Sequence, residues 1–128
     1  MPHITIEYSA NLDADLDMTA LCGDIKRKLL AMGLFEIGAV RVRAIAADAY
    51  AITDDHPANA FADISVRMGA GRSDADKKRL GEELFAMLSV RLAALLAQPH
   101  FALSLEIREI DPELSWKKNS MHARLRGK

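Results

Sequence analysis

A single cysteine, Cys22, stands in 128 residues. It excludes an internal disulfide and supplies no cysteine cluster for a metal. Its neighbours at helical spacing are Leu21, Ile25 and Leu29, which reads as a buried structural thiol and not a nucleophile. No run of about 18 apolar residues occurs, so no membrane span is expected. A strand-like pattern begins at residue 2, where a signal peptide would need a basic and then apolar leader. The expectation is a cytoplasmic protein with no membrane partner. Neither sign of charge dominates: 17 Lys and Arg stand against 18 Asp and Glu, net −1, and aromatics make up only 5%. Without a basic stripe interleaved with aromatics, nucleic acid is excluded as a partner. The glycine-rich stretch Gly69-Ala70-Gly71-Arg72-Ser73 lacks the length and the lysine of a phosphate-binding loop, and a nucleotide reading fails with it.

What is present is ordinary for a globular chain: half the residues are hydrophobic and 27% charged. The length allows one domain, or two small repeats sharing a core. The periodicity switches from strand to helix and back, twice. Residues 3–8 alternate, with Ile4, Ile6 and Tyr8 on one side. A polar stretch leads to a helix with the stripe Met18, Leu21, Cys22, Ile25, Leu29 and Met32, stopped by Gly33. A second strand covers about Val40 to Ala46. Asp48 to Pro57 reads as a short hairpin or loop with Asp54-Asp55 at its turn. The pattern then repeats: a strand over Phe61 to Met68, Ser73 as N-cap with Asp74 and Asp76 in the first turn, and a long helix presenting Leu80, Leu84, Leu88, Leu92 and Leu95. Pro99 ends that helix, and Phe101 to Ile110 forms the last strand.

The expected fold is therefore α+β, a tandem β-α-β repeat giving a four-stranded sheet with two helices on one face. One domain spans 1–128, made of repeats at about 2–58 and 59–110 and a tail at 111–128. Apolar residues of both parities in the strands suggest that the second sheet face is partly apolar and that the chain assembles with copies of itself. The tail, with Pro112, Trp116, Asn119 and His122, is long enough to wrap onto a neighbour.

Only four prolines occur, and Pro57, Pro99 and Pro112 sit where elements stop or the tail begins. The fourth is Pro2. A start methionine is normally trimmed ahead of a small residue, which would leave the secondary amine of Pro2 as a rigidly held chain terminus. An α-amino group titrates at about 8. Burial and nearby cations lower that value toward a usable base at neutral pH. Two other features could meet it. Arg41 and Arg43 share one strand face. Arg72 stands at a glycine-flanked turn entering a helix, where a guanidinium can fork onto a carboxylate beside the helix dipole. A weak base beside guanidinium groups suits a small, multiply anionic substrate whose proton must be moved. His3, next to the amine, could tune it.

Pro2-His3-Ile4-Thr5-Ile6-Glu7-Tyr8-Ser9, the tandem β-α-β design and Gly69-Ala70-Gly71-Arg72-Ser73 together resemble the tautomerase superfamily. More narrowly, the chain is similar to the 5-carboxymethyl-2-hydroxymuconate isomerase family. The likeness extends through Gly33-Leu34-Phe35, Arg41-Val42-Arg43, Leu103-Ser104-Leu105-Glu106-Ile107 and Trp116-Lys117-Lys118-Asn119 to His122-Ala123. It implies a tautomerase-like homotrimer needing no metal or cofactor, with Pro2 as the proton-shuttling base. Arg41 and Arg72 are implied to bind substrate carboxylates or polarise the 2-oxo group, with Arg43 and His3 as lesser substrate contacts. The implied reaction turns a dienol, a small anionic unsaturated keto-acid precursor, into its oxo-ene isomer in bacterial homoprotocatechuate catabolism. Asp48-Ala49-Tyr50-Ala51 and the basic end Arg124-Leu125-Arg126-Gly127-Lys128 depart from the family pattern. Two alternatives stand beside this: another tautomerase-superfamily enzyme acting on a smaller unsaturated acid, and a non-catalytic oligomeric module that binds a small anion.

Overall fold

The computed structural model describes residues 1–127; Lys128, the last of the basic tail residues, lies outside them. Burial alternates along His3–Ser9 (β1), where Ile4, Ile6 and Tyr8 are buried and Glu7 is exposed. A 3-10 turn at Ala10–Ala14 leads to Asp17, whose carboxylate accepts the Ala20 N–H at 3.0 Å and caps the helix Met18–Ala31 (α1). This helix buries Met18, Leu21, Ile25 and Leu29, one stripe at the expected spacing. Cys22 is half-buried beside them, and burial pushes its thiol up, away from nucleophilic use. Gly33, at φ +73°, turns the chain out of the helix.

Strand Arg41–Ala47 (β2) lies parallel to β1. Ala60–Gly69 (β3) lies antiparallel to β1 on its other side, and Phe101–Ile110 (β4) runs parallel to β3. The order is β2-β1-β3-β4, two β-α-β units joined through their first strands. Between β3 and β4, the Ser73 hydroxyl accepts the Asp76 N–H at 3.1 Å and caps the helix Asp74–Arg91 (α2), which buries Leu80, Leu84 and Leu88. Both long helices pack on one face of the sheet, in a single core with Ile4, Ile6, Ile64 and Val66. Each such aliphatic side chain contributes about 1.5–3 kcal/mol by leaving water.

One expectation is corrected. The second helix does not run on through Leu95: it breaks at Leu92 (φ −106°, ψ 19°), and a single turn, Ala93–Leu96 (α3), follows. The apolar stripe continues across the break because Leu92 stays buried, so the pattern hides it. Of the hairpin and loop readings for the segment after β2, the loop holds: residues 48–59 have no strand pairing. It is organised by the Asn59 amide, which donates to Ile52 O (3.1 Å), Thr53 Oγ1 (3.2 Å) and Asp54 Oδ1 (2.8 Å). The open face of the sheet is mixed, with Ile45, Phe61 and Ile110 among many polar side chains. Register lines up Arg41, His3, Arg67 and Arg108 in one row across all four strands, then Arg43, Thr5, Ser65 and Glu106, then Ile45, Glu7, Asp63 and Ser104. One end of this face is therefore basic, and its middle carries carboxylates.

The tail follows β4 from residue 111. After a 3-10 turn at Pro112–Leu114 it crosses the basic end of the sheet and forms a short helix, Met121–Leu125 (α4). It docks on its own chain. Asn119 Nδ2 donates to Gly38 O at 2.8 Å, and Arg126 forks onto Glu36 at 2.7 and 2.6 Å. Among the described residues no helix is long and apolar enough to cross a membrane.

Candidate functional site

Pro2 heads β1 and is buried, and its carbonyl accepts the Arg41 N–H at 3.2 Å, so β2 pins the chain end. The terminal amine in the structure is that of Met1. It faces Gly69, where an added Cβ would stand 3.9 Å from the nitrogen. Burial lowers this amine from the ordinary α-amino range, and the positive charges of Lys117, Arg72 and Arg41 lower it further. Both effects act at the chain end itself, one residue from the Pro2 nitrogen.

The two arginines are held by main-chain carbonyls. Arg41 Nη1 donates to Ala39 O (2.9 Å) and Gly38 O (3.4 Å), in the 3-10 turn Ile37–Ala39 that precedes β2. Arg72 Nη2 donates to Leu34 O at 2.8 Å and its Nη1 to Gly69 O at 3.5 Å. Its guanidinium lies over the Phe35 ring, 4.4 Å from the centroid. Gly71, at φ +113°, permits the tight turn that places Arg72 there. These contacts fix both forks without spending a carboxylate on either.

Arg43 and His3 sit together on the open face, Arg43 Nη1 donating to His3 Nδ1 at 3.3 Å. Burial depresses the imidazole first, and Arg67, Arg43, Arg41 and the terminal amine depress it further, so His3 is neutral at pH 7. Arg43 is exposed and is not among the charges that bear on the terminal amine. Of the five sequence candidates, Pro2, Arg41 and Arg72 thus come together at the chain end. His3 joins them from the side, and Arg43 stands one row away.

A cavity of about 250 Å³ opens at the same place, walled by Met1, His3, Arg67, Ile110, Trp116 and Lys117. Arg41 and Arg72 are not in its walls, but their charges reach the same amine. Arg67 and Lys117 are functional candidates that the sequence did not single out. Arg67 is brought beside His3 by the antiparallel β1–β3 register, and Lys117 by the fold of the tail. A larger cavity of about 350 Å³ lies at the other end of the sheet, by Asn11, Asp15, His100 and Phe101. It has no lysine or arginine in its walls, and the chemistry of the chain end is absent there.

Of the basic residues described, Arg27, Lys28, Lys77, Lys78, Arg79, Arg91, Arg108 and Arg126 pair with carboxylates. Among the described residues Arg41, Arg43, Arg67, Arg72 and Lys117 do not, and these five gather at this end of the sheet; Lys26, Lys118 and Arg124 are likewise without a carboxylate and are exposed. Water and the mutual fields leave such a cluster ready for a small polyanion. His122, in the short helix of the tail, is only partly satisfied. Its buried Nδ1 has no hydrogen-bond partner, and Glu36 Oε2 lies 3.7 Å away, beyond hydrogen-bond reach.

A four-stranded sheet of this order, backed by two helices on one face, is a tautomerase-like fold. A solved member of the cis-3-chloroacrylic acid dehalogenase family shares it at a TM-score of 0.63 and 15% identity, over 92% of this chain and 81% of that one. The narrower likeness is much stronger. The sequence model of 5-carboxymethyl-2-hydroxymuconate isomerase matches residues 2–125, and the chain belongs to that family. The 5-carboxymethyl-2-hydroxymuconate Delta-isomerase of Escherichia coli is 33% identical over 123 residues, covering 96% of this chain and 98% of its own. A crystal structure of a 5-carboxymethyl-2-hydroxymuconate isomerase from Deinococcus radiodurans R1 superposes at a TM-score of 0.89 with 40% identity, over 96% and 92% of the two chains.

Proposed function

We propose that this protein converts the dienol 5-carboxymethyl-2-hydroxymuconate to its oxo-ene isomer by passing one proton through a free amino-terminal proline, Pro2. One observation carries the reading: Lys117, Arg72 and Arg41 converge on the amine at the head of β1, and none has a carboxylate partner among the described residues.

Removal of Met1 would expose the Pro2 nitrogen to the same burial and the same charges, which lower an amine there from its ordinary range toward a usable base. It takes the 2-hydroxyl proton. The O–H electron pair becomes the C2=O bond, the double bond moves to C3=C4, and C5 receives a proton from the prolinium. One proton leaves oxygen and one arrives at carbon, so the enzyme ends as it began and no step calls on a metal or cofactor. A base placed in this way is worth about 100- to 10,000-fold in rate. Arg41 and Arg72 hold carboxylates and stabilise the charge that develops on the 2-oxygen, and their carbonyl anchors keep them from reorganising as it forms. His3, neutral, adds a polar contact without adding charge, and Arg43 supports the field from the neighbouring row.

The family likeness further supports a homotrimer acting in the cytoplasm, in bacterial homoprotocatechuate breakdown. An apolar groove formed by Phe85, Ala86, Leu105 and Ile107 flanks the free edge of β4, a surface suited to a second copy. The test is an ultraviolet assay of dienol consumption by the wild-type protein and by Pro2→Ala. Rapid conversion that falls at least 100-fold in the variant supports the reading. A wild-type protein that leaves the dienol at its uncatalysed rate refutes it and returns the chain to an anion-binding module.

A further inference from the structure

We propose that Arg67 and Lys117 form the subsite for the substrate's third carboxylate, and so make the enzyme select a tricarboxylate over a dicarboxylate. The inference rests on the isomerase reading and deepens it. Both side chains stand in the wall of the cavity at the chain end, together with Trp116 of the tail. Neither has a hydrogen-bond or ion-pair partner among the described residues. Arg41 and Arg72 are differently placed: they spend N–H groups on Ala39 O, Gly38 O, Leu34 O and Gly69 O and keep only part of each fork for a ligand, and Arg43 is engaged with His3 one row away.

The dienol carries three carboxylates. Those at C1 and C6 are fixed to the planar conjugated chain, while the third hangs on a CH₂ beside C5, the carbon that takes the proton. Two anchored guanidiniums suffice for the two in-line carboxylates. The flexible arm then needs cations that are themselves flexible, close to the amine that delivers the proton to C5. Arg67, an exposed strand residue, and Lys117, on the tail, meet both conditions. Lys117 also lowers the terminal amine, so its removal would affect every substrate; that general effect cancels in the ratio of two substrates.

The experiment compares kcat/KM for 5-carboxymethyl-2-hydroxymuconate and for 2-hydroxymuconate, which lacks the arm, in wild type, Lys117→Met, Arg67→Met and Lys117→Arg. Each Met variant should shrink the triacid-to-diacid ratio roughly 10-fold, the worth of one charge-assisted hydrogen bond, chiefly through KM. Lys117→Arg should keep the ratio within about twofold, since the charge is retained. Equal losses on both substrates, or an unchanged ratio, would overturn the subsite. If wild type turned over neither substrate, the isomerase reading would have failed. The subsite would then be judged by Trp116 fluorescence, titrated with tricarballylate and with glutarate. Tighter tricarballylate binding, lost in both Met variants, would retain it, and indifference to the third carboxylate would remove it.

Discussion

Truncating Arg72 to alanine tests the role of the anchored guanidinium at the chain end. In the structure this side chain donates to Leu34 O at 2.8 Å and to Gly69 O at 3.5 Å and covers the Phe35 ring. Loss of a charge-assisted contact to substrate costs about 1.5–3 kcal/mol. At 1.36 kcal/mol per decade, that is roughly 10- to 150-fold in kcat/KM. The fold should also lose stability, because a hydrogen bond and a cation–π contact of about 1 kcal/mol each disappear. A drop of 1 kcal/mol shifts the melting point of a domain this size by about 4 °C. Two readouts therefore separate the roles: dienol consumption at 25 °C, where the variant is still folded, and thermal melting by circular dichroism. Arg72→Lys should recover charge but not the fork, and regain only part of the rate. Were Arg72→Ala folded and within threefold of wild type in kcat/KM, the guanidinium would have no part in binding or turnover.

Other outcomes follow from the tail, the loop and the core. A Cβ at Gly38 would stand 2.9 Å from His122 Nδ1 and 3.4 Å from its Cα. Gly38→Ala should therefore push α4 off, cost about 1–3 kcal/mol, and speed hydrogen exchange of amides 121–125. Asp54 accepts from Asn59, the His56 N–H and Thr53, which holds its carboxyl down to about 2. Its unfolded-state value is about 3.9, so the folded state binds the proton less readily. The stabilisation is full above that value and disappears as pH falls through about 2. Acid-unfolding curves of wild type and Asp54→Asn should converge there, and parallel curves would contradict the assignment. Tyr8 donates to Asp13 Oδ1 at 2.7 Å, and that bond together with burial raises its phenol to about 12. An alkaline absorbance titration should show a phenolate step near 12 that Tyr8→Phe deletes, at a stability cost of about 1 kcal/mol.

Local chemistry was legible in the sequence wherever one residue type answers one physical demand. Ser73 and Gly33 marked helix ends because a hydroxyl cap and a left-handed residue are needed there. The Leu80, Leu84 and Leu88 spacing located α2, and Pro2, Arg41 and Arg72 meet because the second β-α-β unit runs antiparallel to the first, which brings its helix entry to the strand starts of the first. The polarity of the open face was not legible. Ile45, Phe61 and Ile110 on that parity agree with a partly apolar face, but only the cross-strand register shows that Arg41, His3, Arg67 and Arg108 form a row beside them. Arg67 carried no local signal for the same reason. Lys117 enters the cavity through long-range contacts of the tail, Asn119 to Gly38 and Arg126 to Glu36, which no short pattern encodes.

The most direct measurement compares the dienol turnover of protein whose Pro2 amine is free, verified by intact mass, with that of the same chain carrying one uncleaved residue ahead of Pro2. The predicted result is a fall in kcat of about 100- to 10,000-fold when the proline nitrogen is locked in an amide, with both forms equally folded by circular dichroism. Equal turnover by the two forms would contradict proton transfer through Pro2.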